Sequence, residues 1–460
     1  MKSEKEGGRS LEDRSNCDSR AWLDAQAALP PQQRVVVTGI GVVSSLGQCL
    51  PEFWAGIRSG KSGVSEVDDF NVRSYPTWIS SYLSDYVPPD FVDGKELRRM
   101  ARFSQFALSA GHEALVDAGL GLALEDERAG VCVGTAVGGL CETEAAANLI
   151  RDRGGMRLSP FYIVTSPCNM AAYHLASEFR ILGYNNTFVT ACAAGTQAIG
   201  EAAQVILRGD AEMMLAGGTE SSLCELTVAA FSVGRAYTRR NDLVERASRP
   251  FDLDRDGFVG GEGAGFVVLE RLDRALERGA SVHAEILGYG ASNDAFHRIA
   301  PDPTAAGALR AIRAAMRSAG IGPEAVDYIN AHATSTPLGD ISETLAIKLA
   351  LGDRAYEVPM SATKSMIGHL FGAAGAVEGI ATMMALRDGI LPPTINYDTP
   401  DPECDLDCVP NHAREADIRI ALSNSFGLGG QNAVLAMARY EGAGARPRSF
   451  GSAEDAGRQA

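Results

Sequence analysis

Apolar positions fall into two rhythms along this chain. Short continuous runs, such as Arg34-Val-Val-Val-Thr-Gly-Ile-Gly-Val-Val43, Thr187-Phe-Val-Thr190, Gly265-Phe-Val-Val-Leu269 and Ile418 to Leu422, predict buried strands. Between them, apolar residues three and four apart predict amphipathic helices, as at Ala203, Ile206 and Leu207. One block is repeated. Residues 103–139 read as amphipathic helix, Ala-Gly stop, acidic spacer and strand (Val131 to Gly134). Residues 305–340 give the same order, with the strand at Tyr328 to Ala331. The Ala-Gly pairs at 118–119 and 319–320 are 201 residues apart. Ala-Gly alone is a common helix C-cap, but here helix, cap, spacer and strand agree together. Two copies of a β/α unit predict two similar halves packed on each other, with a site where equivalent strand ends converge.

The halves are expected over 33–282 and 283–441. Residues 1–32 are polar and end in Leu29-Pro30-Pro31, which predicts a flexible leader with one short helix around Trp22 to Leu29. Residues 442–460 read as a disordered tail. A net charge of −16 disfavours nucleic-acid and anionic-membrane surfaces. No apolar run approaches a membrane span and no secretory h-region precedes the folded body, so a cytoplasmic location is expected. Nine irregularly spaced cysteines fit a reducing compartment. Cys404 and Cys408 form a C-x3-C pair with no second pair nearby, so no metal site is expected there.

Four stretches carry candidate chemistry. In Asn186-Thr-Phe-Val-Thr-Ala-Cys192-Ala-Ala-Gly-Thr, a strand runs into small, helix-permissive residues, placing Cys192 at a strand-to-helix elbow. A thiol at a helix N-terminus is expected to have a lowered pKa, and its own N–H could form half of an oxyanion hole. Cys132, Cys141, Cys168 and Cys224 lack that setting and read as core cysteines. Asn330-Ala-His332-Ala-Thr334-Ser-Thr336 presents a histidine at a strand end with two threonines after it. Lys364-Ser-Met-Ile-Gly-His369 sets a lysine and a histidine around a glycine, before a small-residue helix. Glu378 follows nine residues after His369, about two and a half turns on, so it can face the same cluster. Ser423-Asn-Ser-Phe426-Gly-Leu428-Gly-Gly430 is a glycine-rich loop able to pass close to a ligand and offer a free N–H.

Together with Thr238 to Gly265, these motifs resemble the β-ketoacyl-[acyl carrier protein] synthases of the elongating type, including type II polyketide ketosynthases, from about Arg34 to Tyr440. The resemblance implies the α/β thiolase fold: duplicated βαβαβαββ halves in a five-layer αβαβα sandwich. It implies a decarboxylating Claisen condensation between an acyl group on Cys192 and malonyl-acyl carrier protein, without cofactor or metal. His332 and His369 would polarise the malonyl thioester, and Lys364 and Glu378 would hold their orientation and charge. The N–H groups of Cys192 and Leu428 would form the oxyanion hole. Thr334 and Thr336 would bind phosphopantetheine, with Val137 and Phe426 also on the substrate side. Arg157 and Arg235 are candidates for contact with the acidic carrier protein. The implied partners are that carrier protein and a second subunit, either identical or a ketosynthase-like chain-length factor.

The sequence departs from the family pattern at Leu428, where a gating phenylalanine is usual, and at Gln431 and Ala333. Val137, smaller than isoleucine, suggests a roomier acyl tunnel. The chain could instead be a non-catalytic chain-length-factor-like partner, but such partners lose the cysteine that is present here. A thiolase would show one histidine and a second motif cysteine, and neither Cys404 nor Cys408 sits in such a motif.

Overall fold

A computed structural model of the chain describes residues 11–68 and 70–448. Its first repeat is β1 (Val35–Val43), α1 (Arg102–Asp117), β2 (Ala129–Gly134), α2 (Met170–Glu178), β3 (Asn185–Phe188), α3 (Ala194–Leu207), β4 (Met213–Glu220) and β5 (Gly263–Arg271). The second repeat is β6 (Ala284–Asn293), α4 (Ala306–Ala319), β7 (Tyr328–Asn330), α5 (Pro337–Leu351), β8 (Met360–Ser361), α6 (Ala374–Asp388), β9 (Ile420–Gly427) and β10 (Gln431–Arg439). Strand order is β3-β2-β4-β5-β1 in one half and β8-β7-β9-β10-β6 in the other. The senses agree as well. β2 lies parallel to β3 and β4, and β5 antiparallel to β4 and β1; β7 lies parallel to β8 and β9, and β10 antiparallel to β9 and β6. This is the duplication that the Ala-Gly spacing pointed to: Gly119 and Gly320 end α1 and α4 with the same left-handed φ of 68°.

The two sheets meet edge to edge through β1 and β6, where Val35, Val36 and Val37 pair with Ile286, Glu285 and Ala284. α3 and α6 form the middle layer. Ala198, Ile199, Ala202 and Ile206 of α3 and Val377, Ile380 and Met383 of α6 fill the core between the sheets. Every residue of α6 is buried, which explains its lack of a polar face. α1 and α2 pack on the outside of one sheet through Phe106, Leu115 and Leu175. α4 and α5 cover the other through Ile312, Met316 and Ile347. The result is the thiolase-like αβαβα sandwich.

Three expectations change. Thr187-Phe-Val-Thr reads as a buried strand, yet β3 closes the sheet at its edge and, among the described residues, bonds one neighbouring strand, leaving Asn185 and Asn186 exposed. The leader holds a longer helix, Leu11–Ala27, than the short one expected around Trp22 to Leu29, and it starts and ends earlier. Trp22 Nε1 donates to Gly320 O at 3.0 Å, docking that helix on the cap of α4. Residues 442–448, expected as disordered, return to the body: Val282 N donates to Gly444 O and Arg446 donates to Asp117 Oδ1 at 2.6 Å. The remainder of the expected tail, 449–460, and residues 1–10 lie outside the described residues. Among the described residues no helix is long and apolar enough to cross a membrane.

Candidate active site

Chain geometry delivers the site in pairs. Ala191–Ala193 forms a tight 3-10 turn before α3, and Phe371–Ala373 forms one before α6. Ala191 and Phe371 both occupy the left-handed region, at φ 50° and 47°. Each elbow therefore holds about 1–2 kcal/mol of backbone strain that its packing must offset. The strain aims Cys192 off the end of β3, and Gly372 is its counterpart in the second half. The elbows touch: a Cβ at Gly195 would fall 2.9 Å from Gly372 O and 2.8 Å from Ala376 N.

Cys192 Sγ lies 2.9 Å from His369 Nε2. The His332 ring stands edge-on to that of His369, with centroids 5.5 Å apart. One ligand atom from each of the three residues falls within 4.8 Å of the others. The backbone N–H groups of Leu428 and of Cys192 itself lie near enough to the sulfur to pull its pKa down. The loop after β9 reaches the elbow because Gly427 has no side chain; a Cβ there would meet Thr190 O at 3.0 Å.

Behind the imidazoles sits a buried ion pair, Lys364 Nζ to Glu378 Oε1 at 2.6 Å. Lys364 Nζ is also 3.4 Å from His332 Nδ1. An ammonium only donates, so His332 Nδ1 must accept and its proton must sit on Nε2. Burial, then Lys364, then His369 push the His332 pKa well below its ordinary value. Burial and Lys364 do the same to His369. Both rings are thus neutral. Burial raises Glu378 to about 7, and Lys364 pulls against that rise. A thiol and two imidazoles could ligate a thiophilic ion such as zinc, but the adjacent ammonium opposes a cation there.

Cys192 corrects the sequence reading. Its thiol is pushed up to about 11, because burial outweighs the N–H groups of Leu428 and Cys192 and the charge of Lys364. At neutral pH it is a thiol hydrogen-bonded to His369, with an imidazole in place to take its proton. Alkylation of Cys192 by iodoacetamide should therefore keep rising from about pH 7 to 10, since thiolate grows tenfold per pH unit below the pKa. A rate that levels off near neutrality would reveal a preformed thiolate–imidazolium pair instead.

Thr334 and Thr336 are half-buried with hydroxyls 3.1 Å apart beyond His332. The Phe426 ring lies 5.9 Å from that of His332. Leu428 is 42 % exposed, at the mouth. Arg157 and Arg235 are exposed on the surface, and Val137 is partly exposed beyond the elbows. None of the three joins the cluster at the sulfur. Cys141 and Cys168, expected in the core, are only half-buried; Cys141 lies in the first turn of the helix Leu140–Arg153 and Cys168 in the turn before α2.

The sequence reading missed Glu343 and the aromatic wall. Glu343 accepts the N–H of His332 at 2.8 Å and of Ala333 at 2.6 Å, and takes Asn424 Nδ2 at 3.0 Å. Its signal was present: Asp340, Glu343, Thr344 and Ile347 mark one buried face of α5, so an acid there must serve a partner. Phe371 stacks on His369 at 5.1 Å and Phe258 meets it edge-on at 5.3 Å. With Phe231 and Tyr237 they form an apolar cluster beside the imidazole.

Comparison with known proteins agrees with this geometry. Residues 32–275 match the family model for the beta-ketoacyl synthase N-terminal domain, and residues 283–398 that for its C-terminal domain. The 3-oxoacyl-[acyl-carrier-protein] synthase 2 of Synechocystis sp. is 45% identical over 411 residues, covering 89% of this chain and 99% of the relative. That of Coxiella burnetii is 45% identical over 409 residues, with the same coverage. Among solved structures, the ishigamide ketosynthase/chain length factor superposes with a TM-score of 0.83 at 38% identity, covering 89% of this chain and 99% of that one. A beta-ketoacyl synthase from Burkholderia phymatum gives 0.83 at 35% identity, over 89% of this chain and 100% of that one. A thiol at a strained elbow, two neutral imidazoles across from it and these likenesses lead to one conclusion: the chain belongs to the β-ketoacyl synthase family and is an acyl-transferring condensing enzyme.

Proposed function

We propose that Cys192 takes an acyl chain from a carrier-protein thioester and condenses it with malonyl-acyl carrier protein, in fatty-acid or type II polyketide chain elongation. The observation that carries this reading is the convergence of one thiol, two backbone N–H groups and two neutral imidazoles on one small volume. In the first half-reaction, His369 accepts the thiol proton as sulfur bonds to the thioester carbonyl carbon. The N–H groups of Cys192 and Leu428 receive the oxyanion, and the carrier thiol leaves with a proton. In the second, the malonyl C–C bond breaks to release CO2, and its electron pair becomes an enolate. The enolate oxygen needs two donors in a dry site; Nε2–H of His332 is one and His369 the other. After the first half-reaction the proton of His369 sits on Nδ1, which has no hydrogen-bond partner among the described residues to hold it, and it must move to Nε2 before the ring can donate to the enolate. The enolate carbon then attacks the acyl carbonyl, and Cys192 leaves as the thiolate.

Partners follow the same reading. One related structure is a type II PKS acyl-carrier protein in complex with its ketosynthase, and another pairs a ketosynthase with a chain length factor. Arg157 and Arg235 are candidates for carrier contact by exposure and charge. The open edge of β3, with Tyr173, Leu182 and Val189 exposed near it, suits a second subunit, identical or homologous. A cytoplasmic location fits carrier-protein substrates and the chain's acidic, reduced character. Retention of Cys192 and both histidines argues against a non-catalytic partner. Intact-protein mass spectrometry after incubation with a series of acyl-carrier proteins tests the proposal. One acyl adduct per chain is expected, and its preferred length separates fatty-acid from polyketide supply; no adduct with any member contradicts it.

A further inference from the structure

Glu220, the last residue of β4, is fully buried and answered by neutral donors. Its Oε2 accepts the N–H of Ala136 at 2.6 Å and of Gly372 at 3.0 Å. Its Oε1 accepts the hydroxyl of Thr135 at 3.1 Å and the N–H of Val137 at 3.4 Å. The Thr135 hydroxyl in turn accepts the N–H of Gly138 at 3.2 Å. One carboxylate thus gathers four donors from two places: the loop after β2 and the elbow of the second half. Those backbones are in contact, since a Cβ at Gly372 would lie 2.3 Å from Ala136 N. Both attachments lead to the site. Ala136 packs into the aromatic cluster of Phe231, Tyr237, Phe258 and Phe371, and Phe371 stacks on His369.

A carboxylate in this core is costly: burial raises its pKa to about 7 even though the N–H groups of Ala136 and Gly372 and the Thr135 hydroxyl pull it down. Apolar residues would close the core at lower cost; what they could not do is hold four N–H and O–H groups at fixed angles. We infer that Glu220 is a positioning residue that fixes the loop Thr135–Gly138 against the Phe371–Ala373 elbow and so shapes the acyl pocket and its chain-length selectivity. The inference rests on the condensing-enzyme reading above. An unpaired amide at this position would set an NH2 against N–H donors, and the loop carrying Val137 would leave its seat.

The test compares initial rates of acyl loading, by intact mass, from octanoyl- and hexadecanoyl-carrier proteins in wild type, Glu220→Gln, Thr135→Val and Thr135→Ser. Glu220→Gln is expected to move the long-to-short ratio by at least about fivefold while Cys192 still loads. Thr135→Val should move it in the same direction by less, and Thr135→Ser should restore the wild-type ratio. Where Glu220→Gln fails to fold, the Thr135 pair carries the test. Equal losses for both chains, with the ratio kept, mark a purely structural residue and overturn the role proposed for Glu220. A wild type that loads no acyl group at all overturns the condensing-enzyme reading itself, and this inference with it.

Discussion

Cys192→Ala is expected to fold normally and to take up no acyl group, with condensation reduced by at least about 10³-fold. The side chain touches a buried site but packs little surface, so stability should fall by only about 1 kcal/mol. Covalent transfer has no other suitable atom at this place. The second half offers Gly372 at the equivalent turn, and Cys132, Cys404 and Cys408 are buried with pKa values raised to about 12. Thermal denaturation and intact mass on the same sample separate loss of chemistry from loss of fold. An alanine variant that still acquires one acyl group per chain would remove the nucleophile assignment.

The second large effect falls on the imidazoles. His332→Ala and His369→Ala are each expected to accept the acyl chain yet release CO2 from malonyl-carrier protein about 10²–10³-fold more slowly, the loss seen when one oxyanion donor is removed. The two variants should differ in the first half-reaction. His369 touches the sulfur at 2.9 Å and should also slow acylation, whereas His332 is turned toward Lys364 and should leave acylation near wild type. Stopped-flow acyl transfer and radiolabelled CO2 release read the two steps independently. Equal decarboxylation in wild type and His332→Ala would leave that ring without its assigned task.

Much of this was legible in the chain. The duplication was visible because a glycine in the left-handed conformation must end both α1 and α4, and glycine is conspicuous in sequence. Cys192, His332 and His369 were legible because each follows a strand or precedes a helix in small-residue surroundings, which expose a side chain at an element's end. The thiol's pKa was not. Proximity to a helix N-terminus is local and readable, but burial comes from groups distant in sequence, such as His369 against the sulfur. Glu220 and Glu343 were missed for a related reason: each serves backbone N–H groups, which carry no residue identity. β3 was misjudged because apolar, β-branched content alone does not tell a central strand from one at the edge of a sheet.

The chemistry turns on a single covalent bond at a single atom, the sulfur of Cys192. Tandem mass spectrometry of peptides from acyl-loaded wild-type protein locates it directly. An acyl thioester on Cys192, in the peptide spanning the strand-to-helix elbow, is the predicted result; the acyl group on any other cysteine, or on none, would contradict it.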